Sequence, residues 1–268
     1  MKIDLHMHSN YSDGTLSVKD LAEYAYKKSL NVLALTDHDT VLGVNEMIQE
    51  CDKYNIKVIP AMELTTNYMG EDCHIISLFK NLTPDLINFS YELESKRKKR
   101  AILMLNRIKD IYNVKIDLDL LEGERTITRK NMLANILKCN EIDYDYAKTL
   151  TSRSSKAYVP FSYLSVEEGL ELIHKNGGIA ILAHPCLFKR KESILELMNY
   201  KFDGIEAIYS NKLNDEKYFK DLASKYNLLI SAGSDYHGDN SHSDLVSVSL
   251  KEEELNLILN KLGLKFVW

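Results

Sequence analysis

Cysteine is scarce. Four residues in 268, at Cys51, Cys73, Cys139 and Cys186, are scattered with no C-x-x-C pair. That argues against a thiolate zinc site or a disulfide framework and fits a reducing compartment. Long apolar runs are missing too: none approaches the ~20 residues needed to cross a bilayer. The N-terminus enters polar, ligand-type residues directly, so no signal peptide and no membrane partner are expected, and the cytoplasm is the expected location. An excess of positive charge is also absent. The formal net charge of −5 gives no electrostatic reason to expect duplex DNA as a partner, although a local basic cluster can still hold a phosphate. There is no internal repeat, no low-complexity segment and no convincing nucleophile–histidine–acid triad.

What is present is an ordinary globular composition, 45% hydrophobic and 27% charged, in a chain long enough for one large α/β domain carrying an insertion. The stretch Asp4-Leu-His-Met-His-Ser-Asn-Tyr-Ser-Asp-Gly14 stands out. Lys2 to Leu5 can form a short strand, and His6 and His8 alternate with Met7, so on an extended backbone both imidazoles share a face. With Asp13 nearby, this is either the start of a metal site or a strand capped by two histidines. Ligands elsewhere in the chain decide between them.

A strand–helix rhythm follows. Ser17 can cap a helix to about Ser29 with Leu21, Ala22, Ala25 and Tyr26 on one face, and Asn31 to Thr36 reads as a buried strand ending in Asp37-His38-Asp39. A helix over Val44 to Tyr54 leads to a strand from Lys57 to Met62 that stops at Glu63. Such a rhythm indicates a parallel α/β sheet or barrel, with its chemistry at the carboxyl ends of the strands. Leu64 to Asp72 leaves no room for a crossover helix, so Cys73 to Phe79 should return antiparallel and bring His74 near Glu63. After residue 84 the texture turns helical: Leu86 to Ile111, then Arg129 to Leu137 and Tyr144 to Thr149. The run Lys96-Arg-Lys-Lys-Arg100 reads as a solvated helix face. The α/β pattern resumes with the capping box Ser165-x-x-Glu168 and strands ending at His184-Pro185, at Tyr209 and at Gly233-Ser-Asp-Tyr-His-Gly238, making seven core strands.

Gathered at one face are His6, His8, Asp13, His38, Glu63, His74, His184, Asp235 and His237, six of the eight histidines among them. Imidazole and carboxylate without thiolate suit manganese, iron or zinc, and nine candidates imply two or three ions. In order, the His-x-His opening, Thr-Asp-His-Asp, lone Glu63, Ala-His-Pro and Ser-Asp-Tyr-His-Gly resemble the polymerase and histidinol phosphatase (PHP) superfamily over about 1–82 and 163–238.

The resemblance implies an α/β fold, a distorted seven-stranded (β/α)7 barrel, with 1–84 and 161–268 as its two parts and 85–160 as a mostly helical inserted lid. It implies two to three divalent ions, manganese first. His6, His8, Glu63 and Asp235 would hold one; Asp13, His38 and His237 a second; His74 and His184, with Glu63 bridging, a third. Catalysis would depend on Glu63, Asp235 and His237. Many relatives carry histidine where Asp13 stands, so this ligand is harder and anionic. Asp37 or Asp39 would orient an imidazole. Thr128-Arg129 at a helix start and Lys156 look like the nucleotide-processing branch, where an arginine and a lysine of the insertion hold a substrate phosphate, although Lys130 replaces that branch's usual proline. The expected function is hydrolysis of a nucleotide phosphomonoester, such as a 3′,5′-nucleoside bisphosphate (pAp), or of short RNA from the 5′ end. The alternatives are phosphatase action on a small metabolite such as histidinol phosphate, and a non-catalytic metal-binding module. His174 and His242 fit no motif and read as structural or exposed.

Overall fold

The computed structural model describes residues 1–122, 127–161, 164–211, 213–239 and 242–266. The resemblance's boundary at Tyr163 lies outside them. Among the described residues the strands form two sheets. The first is parallel, in the order β1 (Ile3–Asp4), β2 (Val32–Ala34), β3 (Lys57–Ile59). Its crossovers are α1 (Val18–Lys27) and α2 (Val44–Asp52). Ser17 caps α1 by accepting from the Asp20 N–H, which satisfies one of the helix's unpaired first-turn donors. Val18, Leu21, Ala22 and Ala25 form its buried stripe; Tyr26, expected on that face, is exposed and stacks on Tyr54 instead.

The second sheet runs β6 (Leu164–Ser165), β4 (Ala61–Tyr68), β5 (Glu71–Leu78), β7 (Ile179–Leu182), β8 (Gly204–Tyr209), β9 (Leu229–Gly233). β5 is antiparallel to both neighbours, as the missing crossover requires; the other pairings are parallel. The strand expected over Lys57 to Met62 differs in two ways. Pro60, which has no N–H for a ladder, divides it into β3 and β4. β4 does not stop at Glu63 but continues to Tyr68. Met69 and Gly70, both at positive φ (49° and 83°), then make the tight two-residue turn into β5. With the two-residue β6, which was not expected, the seven expected strands become nine described ones.

Backbone hydrogen bonds join the sheets. Leu5 N–H donates to Ala232 O (3.0 Å), Asp235 N–H to His6 O (2.9 Å) and His8 N–H to Tyr236 O (2.8 Å), so the end of β9 lies against the end of β1. On the other side Asp39 N–H donates to Glu63 O (2.9 Å).

The 29-residue α3 (Pro84–Tyr112) has Thr83 as its cap and proline at its first turn, where no N–H is needed. Leu86 and Leu93 pack with Leu64, Val166 and Leu170 of the α/β core. Further along, Ala101, Met104, Leu105 and Ile108 form a separate apolar cluster with Met132 and Ile136 of α4 (Arg129–Cys139) and Ala147 and Leu150 of α5 (Tyr144–Leu150). One helix therefore ties the helical segment to the sheets. The remaining helices are α6 (Val166–Lys175), with the Ser165/Glu168 capping box, α7 (Glu192–Leu197), α8 (Glu216–Tyr226) and α9 (Glu252–Leu262).

Candidate metal centre

The centre is built where strands end. His6 and His8 follow β1 on either side of buried Met7, His38 follows β2, Glu63 and His74 are diagonal neighbours across the β4–β5 hairpin, His184 follows β7, and Asp235 and His237 follow β9. Gly233 makes the closest approach possible: a Cβ there would lie 2.1 Å from the His6 Cβ and 2.6 Å from a Glu206 carboxylate oxygen. Asp39, His184 and Asp235 hold positive φ (57°, 27° and 56°), a conformation costing about 1–3 kcal/mol that the surrounding structure must enforce.

Glu63 is fully buried at the middle. Its Oε1 lies 2.9 Å from His74 Nδ1 and 3.0 Å from His184 Nε2. Its Oε2 lies 2.9 Å from His38 Nδ1, 3.3 Å from His8 Nε2 and 3.4 Å from His6 Nε2. Asp235 Oδ1 faces the same two nitrogens, at 3.2 Å from His6 and 3.1 Å from His8. Asp13 Oδ1 is 3.2 Å from His237 Nε2 and 3.8 Å from His38 Nε2. The nine residues therefore come together as His6–His8–Glu63–Asp235, His8–Asp13–His38–His237 and His38–Glu63–His74 groups, with His184 on the outer oxygen of Glu63. His8 and His38 each take part in two groups, which spacing alone did not suggest.

These residues fit metal ions. His6 Nε2, His8 Nε2, His38 Nδ1 and Glu63 Oε2 are buried and crowd one another, yet none makes an aligned hydrogen bond. Buried orphan atoms of this kind are rare unless something coordinates them. The opposite ring nitrogens are held. His6 Nδ1 meets Glu206 Oε1 (3.0 Å), and His237 Nδ1 meets the Asp235 carbonyl (2.8 Å), which directs each Nε2 inward. Tyr209 O–H donates to Asp235 Oδ2 (3.0 Å), leaving Oδ1 for the cage.

Charge follows the same layout. Burial opposes ionisation of Glu63, but the His38, His74 and His6 imidazoles outweigh it and hold its carboxyl well below the usual range. Burial also opposes charging of His38, yet Glu63 and Asp13 raise its pKa to about 9. For His8, burial reinforced by the neighbouring His237 and His38 wins and pushes it down to about 3. Protons and metal ions compete for such a set.

Neither Asp37 nor Asp39 touches an imidazole. Asp37 accepts from Ser9 and Ser12 (2.6 Å each), and burial pushes its pKa up to about 6. Asp39 accepts the Thr65 N–H (2.7 Å) and pairs with Arg97. The basic run is likewise not merely a solvated face. Arg97 and Arg100 lie on the stripe Leu93–Arg97–Arg100–Met104, so packing of α3 turns them inward, and Arg97 is only 12% exposed. That stripe was the available signal.

Arg97, Arg100, Arg129, Lys130 and Arg153 line a cavity of about 140 Å³ that opens onto Asp13, His38 and His74. Arg129, half exposed, is 3.8 Å from Asp72, which also pairs with Arg153 at 2.5 Å. Lys156 is exposed and absent from the cavity lining; its N–H donates to Tyr112 O–H (3.0 Å). A larger adjoining cavity of about 560 Å³ shares His74, Arg129 and Arg153 and is walled by His184, Leu187 and Phe188. Sequence reasoning also missed Glu206, whose signal was an acid inside the apolar strand Gly204–Tyr209; a fully buried carboxylate needs partners. His242 stacks on His237 at 3.9 Å, while His174 pairs with Asp203 (2.8 Å) away from the centre.

Imidazoles and carboxylates converging at strand ends beside a cationic cavity define a metal-dependent hydrolase of phosphate esters. The chain belongs to the PHP domain family, whose sequence profile matches residues 4–234, and it is a metal-dependent phosphoesterase. It is 30% identical over 248 residues to a 5′-3′ exoribonuclease of Haemophilus influenzae, covering 88% of this chain and 90% of that one. It is 26% identical over 250 residues to a 3′,5′-nucleoside bisphosphate phosphatase of Chromobacterium violaceum, covering 88% and 87%. A solved structure from Bifidobacterium adolescentis shares the fold, with a TM-score of 0.84 at 24% identity over 97% of this chain and 96% of that one. Among the described residues no helix is long and apolar enough to cross a membrane.

Proposed function

We propose that the protein hydrolyses a phosphomonoester of a nucleotide, with a 3′,5′-nucleoside bisphosphate such as pAp as its first substrate and short RNA, cut from the 5′ end, as a second. The observation that carries this is the cationic cavity beside the metal centre. In a chain of net charge −5, the four arginines Arg97, Arg100, Arg129 and Arg153 join Lys130 around this space, against only two acids, Asp13 and Asp72. Relatives acting on RNA and on bisphosphates support the same reading.

On this reading His6, His8, Glu63 and Asp235 hold one ion, Asp13, His38 and His237 a second, and His74 and His184 a third, with Glu63 common to the first and third. When bound, two or three divalent ions, manganese first, supply Lewis-acid stabilisation and a water of lowered pKa. Glu206 and the Asp235 carbonyl fix the inward ring nitrogens, and Tyr209 aims Asp235. Arg129 binds the phosphate that is not cleaved. Arg153 takes the place foreseen for Lys156. The 85–160 segment acts as the lid that carries these cations. Cys73 and Cys186 are not suited to nucleophilic attack, since both are buried and burial pushes their thiols up to about 12 and about 11. A closed barrel belongs to the reading, supported by the hydrogen bonds that join the ends of β1 and β9 and by the bond from the Asp39 N–H to Glu63 O. So does a cytoplasmic location, supported by four free thiols.

The test is phosphate release from pAp, AMP, histidinol phosphate and short RNA with added manganese. Turnover of pAp or RNA above the others supports the proposal. Preference for histidinol phosphate would replace it with the metabolite-phosphatase reading, and no turnover of any would leave a metal-binding module.

A further inference from the structure

Lys130 stands at the start of α4, on the helical segment, yet its ammonium reaches two loops of the metal centre. It donates to the Asp13 carbonyl at 2.9 Å and to Asp239 Oδ2 at 2.8 Å. One loop follows β1 and the other follows β9. Each leads into the group formed by Asp13, His38 and His237. Asp13 is itself a member. Asp239 Oδ1 meets His242 Nδ1 at 2.9 Å and accepts the His242 N–H at 3.2 Å. The His242 ring stacks on His237 at 3.9 Å and 21°, and His237 Nε2 returns to Asp13 at 3.2 Å.

We propose that Lys130 is a positioning residue that latches α4 to this second group, so that the seating of the helix and the group's affinity for an ion are coupled. The proposal rests on reading Asp13, His38 and His237 as a metal group. A half-exposed lysine in a single ion pair contributes little. Lys130 differs because its two bonds cross from one packed segment to two loops of another. Its charge also does not oppose a cation in the group, since both bonds end on acceptors and Asp239 neutralises it. The loops do not depend on Lys130 for their own contact. Thr15 N–H donates to His237 O (2.8 Å) and Thr15 O–H to Gly238 O (3.0 Å). What Lys130 adds is the helix. Coupling of this kind is reciprocal: if the latch tightens the ion, the ion must steady the helix.

The test uses the full chain reconstituted with Mn²⁺, as wild type and as Lys130→Met, Lys130→Arg, Asp239→Asn and the Lys130→Met/Asp239→Asn double variant. Manganese affinity is measured by chelator competition, and hydrogen exchange is followed over 129–139 with and without Mn²⁺. Lys130→Met should fold normally and lose about tenfold in affinity for one ion while the affinities for the others are unchanged. It should also lose the slowing of exchange in 129–139 that Mn²⁺ produces in the wild type. Lys130→Arg should retain both. Asp239→Asn should resemble Lys130→Met, and the double variant should be no worse than the weaker single one. Wild-type affinity and Mn²⁺-dependent protection in Lys130→Met, or a uniform loss across all ions, would overturn the latch. Fewer than one ion bound by the wild type would overturn the metal-group reading, and the latch with it.

Discussion

Glu63→Gln separates charge from shape at the centre of the site. The two side chains have nearly the same volume, so packing against β5 should survive. The electrostatics cannot survive, because five imidazole nitrogens lie within 3.4 Å of the two carboxylate oxygens. In glutamine one of those oxygens becomes an N–H₂ group, which can neither coordinate a cation nor accept from an imidazole. Breaking a buried charge pairing of this kind costs about 3–5 kcal/mol. At about 1.4 kcal/mol per factor of ten, that corresponds to a loss of roughly 10²- to 10⁴-fold in whatever depends on the pairing. We expect kcat on pAp to fall by that factor in the manganese-loaded enzyme, with at least one ion lost by elemental analysis. The metal-free protein should melt lower as well, because the imidazoles face Glu63 without any ion, and the loaded protein should lose in addition the stabilisation that the missing ion supplied. Near-wild-type turnover with the full metal complement would refute the assignment of Glu63 to two ion sites at once.

Arg129→Ala should lower kcat/KM on pAp by about tenfold. This is the lower end of the 1.5–3 kcal/mol for a charge-assisted hydrogen bond, because the side chain is half exposed. A single-phosphate substrate should be much less affected, and equal losses on both would remove Arg129 from recognition of a second phosphate. Glu206→Gln leaves His6 Nδ1 and the His184 N–H (2.7 Å) to compete for one remaining oxygen, and should weaken manganese binding by roughly 10- to 100-fold; unchanged chelator competition would count against it. In the native protein a thiol reagent at pH 8 should modify Cys139 first. Cys51 and Cys73, both buried and raised to about 12, should react only after denaturation. Rapid labelling of either in the folded enzyme would show that those strands and helices open readily.

Much of the candidate centre is legible in the sequence because its imidazoles and carboxylates obey local rules. A strand of alternating residues must send His6 and His8 to one face. Polar side chains after an apolar run must lie where a strand ends. Ser17 and Ser165 cap helices through bonds to residues three positions on. These contacts depend on neighbours in the chain, so spacing determines them, while the phosphoesterase activity is implied by the resemblance that the ordered set of motifs carries. Other features were decided only by the tertiary structure. Which Glu63 oxygen meets which imidazole, the sharing of His8 and His38 between groups, and the hold of Glu206 on His6 across 200 residues depend on how sheets meet, not on neighbours in sequence. The same holds for the cations. Packing of α3 against the core turns Arg97 and Arg100 inward, and the seating of α4 brings Arg129 and Lys130 to the mouth, while Lys156 is left in solvent. A long cationic side chain has no preferred direction of its own, and only the packing of the helix that bears it decides what it reaches.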